Sequence, residues 1–84
     1  MEIDFPENWT RRTGSTHNDK YLAKNTKTGV VVGYHDKRGD SYNVWVGNHA
    51  RDYEVITVIN GTREEVKLKA LQFMQNNPEY KYEA

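Results

Sequence analysis

Asn60-Gly61-Thr62-Arg63-Glu64-Glu65 decides the fold of this chain, because it closes a β-rich, aromatic front and opens what reads as its one long helix. Thr62 followed three residues later by Glu65 forms a capping box. The threonine hydroxyl accepts from the backbone N–H of Glu65, and the glutamate carboxylate reaches back to the N–H of Thr62. Glu64 and Glu65 also sit where the helix dipole favours negative charge. From Arg63 to Asn76 the helical period gathers Val66, Ala70, Leu71, Phe73 and Met74 on one broad apolar arc, with Lys69, Gln72 and Asn76 on the other side. Asn76-Asn77-Pro78 marks the end, since asparagine tolerates left-handed backbone and proline cannot continue a helix. An arc of this kind predicts a lid over a sheet.

Upstream of that signal the hydrophobic period changes from that of a helix to two. Trp9 to Thr13 is a first strand candidate, running into a small polar loop over 14–19. Lys20 to Asn25 follows, with Tyr21 and Ala23 expected on one face and Leu22 and Lys24 on the other. A turn at Thr26-Lys27-Thr28-Gly29 leads to Val30 to His35, where Val30, Val32 and Tyr34 oppose Val31 and Gly33, the glycine marking a bulge or a close backbone approach. A polar turn over 36–40 leads to Ser41 to Gly47, the clearest strand, with Tyr42, Val44 and Val46 set against Asn43 and Trp45. Tyr53 to Ile59 comes last, Tyr53, Val55 and Ile59 against Ile56 and Val58, and reads as a strand buried on both faces. Parallel neighbours need crossovers of roughly a dozen residues or more, which these connections lack, so the sheet is expected to be antiparallel. The expectation is a small two-layer α+β domain: an antiparallel meander of about four strands packed on one C-terminal helix. A single domain occupies 1–84, ordered over about 9–78, with looser ends whose Glu79-Tyr80-Lys81-Tyr82 either pairs at a sheet edge or frays.

The chain has 84 residues, and a domain of that size hides only about 60–65% of the surface its unfolded form exposes. Six Tyr, two Trp and two Phe are therefore needed to build its thin core. It has no Cys, which excludes disulfides, thiolate metal sites and cysteine nucleophiles. Met1 to Glu7 is acidic and lacks the apolar stretch of a signal peptide, and no run is long enough to span a bilayer, so a cytoplasmic protein without a membrane partner is expected.

Catalytic and metal readings find little support. His17, His35 and His49 fall in separate segments without ligand spacing. Ser15, Thr16 and Ser41 lack the surroundings of an activated nucleophile, and the glycines lack the strand-loop-helix frame of a phosphate loop. Asp36 and Asp40 bracket a turn whose chemistry already selects Asp and Gly. No enzyme activity, metal or cofactor is expected.

Twelve basic and twelve acidic side chains cancel in sum but not in distribution. Between Arg11 and Arg38 there are seven cations against Asp19 and Asp36, while both ends are mostly acidic. Arg11, Arg12, Lys20, Lys24, Lys27, Lys37 and Arg38 alternate with Trp9, Tyr21, Tyr34 and Trp45 along neighbouring strands. Cations neutralise phosphates and aromatic faces stack on bases, so these cations together with Trp45 form a candidate nucleic-acid-binding face. Cross-strand pairing and solubility account for the same residues without any ligand. In architecture, a few strands followed by one capped helix, with an aromatic and basic sheet, resembles the three-stranded-sheet-plus-helix DNA-binding modules of plant transcription factors and the arm domains of tyrosine integrases. In size and shape it is similar to small inhibitor proteins encoded by viruses and plasmids. The first likeness implies DNA binding through the sheet. The second implies a non-catalytic module whose exposed Trp and Tyr anchor a protein partner.

Overall fold

Alternating β-branched and aromatic residues form one antiparallel sheet in the computed structural model, which describes residues 5–16, 19–37 and 41–82 apart from the side chains of Thr16 and Lys37. Its strands are β1 (Trp9–Arg11), β2 (Ser15–Thr16), β3 (Asp19–Asn25), β4 (Val31–Lys37), β5 (Ser41–His49) and β6 (Asp52–Asn60), followed by helix α1 (Arg63–Asn76). The order across the sheet is β1-β3-β4-β5-β6, with the two-residue β2 also beside β3. The main path thus has five strands rather than about four, because Trp9–Arg11 pairs fully with β3, Trp9 opposite Asn25 and Arg11 opposite Ala23. Part of the expected 14–19 loop pairs as well. After Arg11 the edge breaks, held by Arg12 N–H to the Leu22 carbonyl (3.1 Å) and Tyr21 N–H to the Gly14 carbonyl (3.0 Å), and it resumes with Ser15 opposite Lys20. Gly14, at φ +129°, supplies a backbone that side-chain-bearing residues rarely adopt.

Helix α1 covers one face of the sheet, burying Val66, Ala70 and Met74 against Val32, Tyr34, Val44, Val46 and Ile59. Leu71 and Phe73 flank them, half-buried, as the arc predicts. Thr62 caps the helix, its Oγ1 accepting from Glu65 N–H at 3.3 Å, while the Glu65 carboxylate folds against the α-carbon of Gly61. The far end stops by another route than expected. Asn77 has φ −139°, outside the left-handed region, and closes the last turn by donating from its side-chain amide to Phe73 O (2.8 Å) and from its backbone N–H to Met74 O (3.2 Å).

Two bulges correct the expected faces. In β3, Tyr21 opposes Gly33 but Ala23 opposes Val32, so Leu22 is the extra residue and Tyr21 and Ala23 fall on opposite faces. In β6, Val55 opposes Trp45 and Thr57 opposes Val44, leaving Ile56 extra. Tyr53, Val55 and Val58 therefore share the face away from the helix, and Ile59 lies on the helix side. Nor is β6 buried on both faces, since Val55 is 46% and Val58 56% exposed.

On the sheet face away from the helix a second, smaller cluster joins Val31, Trp45 and Ala50, with Tyr21 packed on it. The Trp45 indole lies flat on Gly33, where an added Cβ would stand 2.5–2.9 Å from its ring carbons, so the glycine marks the close approach expected of it. Tyr21 meets that indole edge-on at 5.7 Å, and Tyr53 leans on it at 5.4 Å. After the helix the tail neither pairs as a strand nor hangs loose. Asn8 and Asn25 both donate to Pro78 O, Trp9 Nε1 donates to Asn77 O, and Tyr80 packs on Phe73 and donates its hydroxyl to Glu54. Among the described residues, no helix is long and apolar enough to cross a membrane.

Candidate nucleic-acid interface

Where the edge strand breaks between β1 and β2, side chains from three directions enclose an open groove of about 870 Å³. β1 and the break contribute Arg11, Arg12 and Gly14; β3 contributes Lys20, Tyr21 and Leu22; the helix contributes Lys67, with Phe5 closing the N-terminal side. At the break three edge residues, Arg12 to Gly14, face only two of β3, Tyr21 and Leu22, beside the point where Leu22 bulges against β4. Arg12 then folds back over the Tyr21 ring, its guanidinium carbon 4.6 Å from the ring centre. Glycine suits position 14, since a Cβ would crowd Arg12 Nη1 at 3.1 Å and the tyrosine ring at 3.3 Å, and the φ of +129° strains any side-chain-bearing residue. Arg12 Nη1 donates to the Thr13 carbonyl, and stacking of this kind holds the guanidinium flat while leaving its remaining N–H groups available to an anion.

The groove is basic without internal neutralisation. Arg11, Arg12, Lys20 and Lys67 line it, no Asp, Glu or His does so among the described residues, and none of the four cations makes an ion pair among the described residues. Ser15, Thr10 and Thr13 add hydroxyls suited to phosphate oxygens.

Of the residues proposed from sequence, the fold therefore brings together Arg11, Arg12 and Lys20. Lys24 stands elsewhere, opposite Val31 and on its face. Lys27 lies in the turn beyond the other end of β3 and pairs with Glu79 at 3.0 Å. Both of those side chains are well exposed, so the pair adds little stability, but it fixes Lys27 to the tail rather than to the groove. The backbone of Lys37 extends past the Asp19–His35 pair, at the same end of the sheet as Lys20, and Arg38 lies outside the described residues. Trp45 is 0% exposed, so it offers no ring face for stacking; Gly33 lets the indole settle onto the sheet and the tyrosines enclose it. Trp9 is buried as well, which corrects the expectation of exposed tryptophan anchors.

Lys67, Phe5 and the hydroxyls of Thr10 and Thr13 line the groove without having been singled out from sequence. Lys67 stands one helical turn before Leu71, on the flank of the apolar arc, so the pattern that placed Leu71 could have placed it over the sheet edge. Phe5 precedes the first strand and carries no periodic signal. The histidines are engaged locally: His35 Nδ1 lies 3.2 Å from Asp19 Oδ1, His49 Nδ1 accepts from Arg51 N–H, and His17 lies outside the described residues. No group of three His, Asp or Glu side chains able to hold a metal ion occurs among the described residues. Comparisons with protein families, with characterised proteins and with solved structures return no match for this chain.

Proposed function

We propose that this chain is a non-catalytic binding module that holds a nucleic-acid strand along the groove at its β1–β2 edge. The observation that carries the reading is the convergence of Arg11, Arg12, Lys20 and Lys67 around Tyr21 and Phe5, with no described carboxylate to neutralise them. The cations meet successive phosphates, the hydroxyls of Thr10, Thr13 and Ser15 complete the backbone contacts, and the Phe5 and Tyr21 rings offer apolar surface to a base. Such contacts grip the backbone and read little sequence, so binding is expected to be tolerant of base composition. The test compares variants in fluorescence anisotropy with generic DNA and RNA oligonucleotides. Combined Arg11→Ala, Lys20→Ala and Lys67→Ala should lower affinity and reduce the salt slope by about one for each cation removed. Lys24→Ala and Lys27→Ala, outside the groove, should leave both nearly unchanged; an equal loss in the two sets would refute the assignment.

A protein-partner reading has one observation in its favour, the apolar side chains Tyr53, Val55 and Val58 exposed on β6. Its mark would be binding centred on β6 that depends only mildly on salt.

A further inference from the structure

The two edges of this sheet are finished differently. The β1–β2 edge carries Arg11 and Arg12 and is broken at Gly14, both of which discourage strand addition. The β6 edge is one nine-residue strand, Asp52–Asn60, with no Lys, Arg or Pro, and three of the large apolar residues exposed on this protein belong to it. Among the described residues no strand pairs with its outer side, and the tail reaches it only through side chains near its start, Tyr80 donating to Glu54, which lies on the helix side opposite Val46, and Tyr82 beside Asp52. A bare edge of that composition is a template for another extended strand.

The bulge at Ile56 says which strand fits. By their β5 partners and packing, Tyr53, Val55, Val58 and Asn60 lie away from the helix, while Glu54, Ile56, Thr57 and Ile59 lie on the helix side. Read from either end, this order is the same about the Ile56–Thr57 bond. Opposed residues of an antiparallel pair must share a face, and a two-fold contact requires that if one residue meets another, the reverse contact also holds. With the bulge present, a second copy of β6 meets both conditions along the whole strand when centred on that bond. In this register Val55 opposes Val58 of the other copy and Val58 opposes its Val55, while Glu54 opposes Ile59 and Tyr53 opposes Asn60. No like charges face each other.

We propose that two copies of this chain associate through antiparallel pairing of β6 with β6, continuing the sheet across a two-fold axis. The valines close over one another on the face away from the helix, and the basic grooves lie at the two outer ends of the joined sheet.

Sedimentation of the full chain over a range of concentrations tests this. The mass is expected to rise from one chain to two, and Val55→Lys or Val58→Glu, each at a position about half exposed, should hold it at one chain with the circular dichroism unchanged. Mixing the Val55→Lys and Val58→Glu chains should restore the dimer, because the register sets the two new charges opposite each other. A wild-type chain monomeric at every concentration, or variants that dimerise as the wild type does, would overturn the proposal; a mixture that stays monomeric would overturn the register. Should either variant unfold, hydrogen exchange of the wild type decides, since β6 amide protection must rise with concentration and protection independent of it would contradict the pairing.

Discussion

Asn25 has no exposed surface, yet its amide makes three hydrogen bonds: Oδ1 accepts from the backbone N–H groups of Lys27 and Thr28, and Nδ2 donates to Pro78 O, each at 2.9 Å. One side chain thus shapes the β3–β4 turn and ties the tail to the sheet. Asn25→Ala should cost about 2–4 kcal/mol, a large part of the roughly 4–13 kcal/mol expected for a chain this size, and should lower the urea midpoint without changing the slope. Gly33→Ala should cost about 1–3 kcal/mol, because the added Cβ meets the Trp45 indole and the Lys20 carbonyl oxygen. If the clash is with the ring, the penalty should shrink in a Trp45→Leu background, a comparison that a double-mutant cycle makes directly. Sequence alone marked Gly33 as a place of close approach, since a glycine inside a strand needs a reason. It did not expose the role of Asn25, because its partner Pro78 lies 53 residues away and asparagine before a turn already has a sufficient local explanation.

At the scale of elements, the helix was the most legible part of the chain. A cap, a periodic arc and a terminating Asn-Pro all agree on Arg63–Asn76, and Thr62→Ala should accordingly lower stability by about 1 kcal/mol in thermal unfolding. The strands were legible in place but not in face, because a bulge reverses the alternation and leaves no mark in composition; Leu22 and Ile56 look like any apolar strand residues. The same blindness hid the groove, which opens where the edge falls out of register with β3 beside the Leu22 bulge. The tail offers a pH-dependent test. The hydrogen bond from Tyr80 to Glu54, with burial adding to it, pushes the tyrosine up to about 12 from 10.0. A folded-state value raised in this way contributes stability that is fully present below pH 10 and is lost as the pH climbs from about 10 to about 12. Burial and the neighbouring Asp52 push Tyr82 upward as well. Spectrophotometric titration should find a phenol ionising near 12 in the wild type and returning toward 10 in Glu54→Gln; an unchanged titration in that variant would exclude the contact.

Over the whole molecule, charge separation rather than net charge carries the functional reading. The formal charge is zero, yet four cations stand together at one sheet edge, while the other edge, β6, carries Asp52 and Glu54 and no cation. Composition along the chain revealed the basic middle. It could not sort that middle into Arg11, Arg12 and Lys20 at the groove, Lys24 on the far face and Lys27 at the other end, because that division depends on register. The measurement that tests the groove most directly is the salt dependence of nucleic-acid binding by the intact chain. If the four groove cations each neutralise one phosphate of a single strand, affinity should fall roughly 50-fold between about 50 mM and 200 mM salt. Absence of binding at the lower salt, or binding that scarcely changes across that range, would contradict the account.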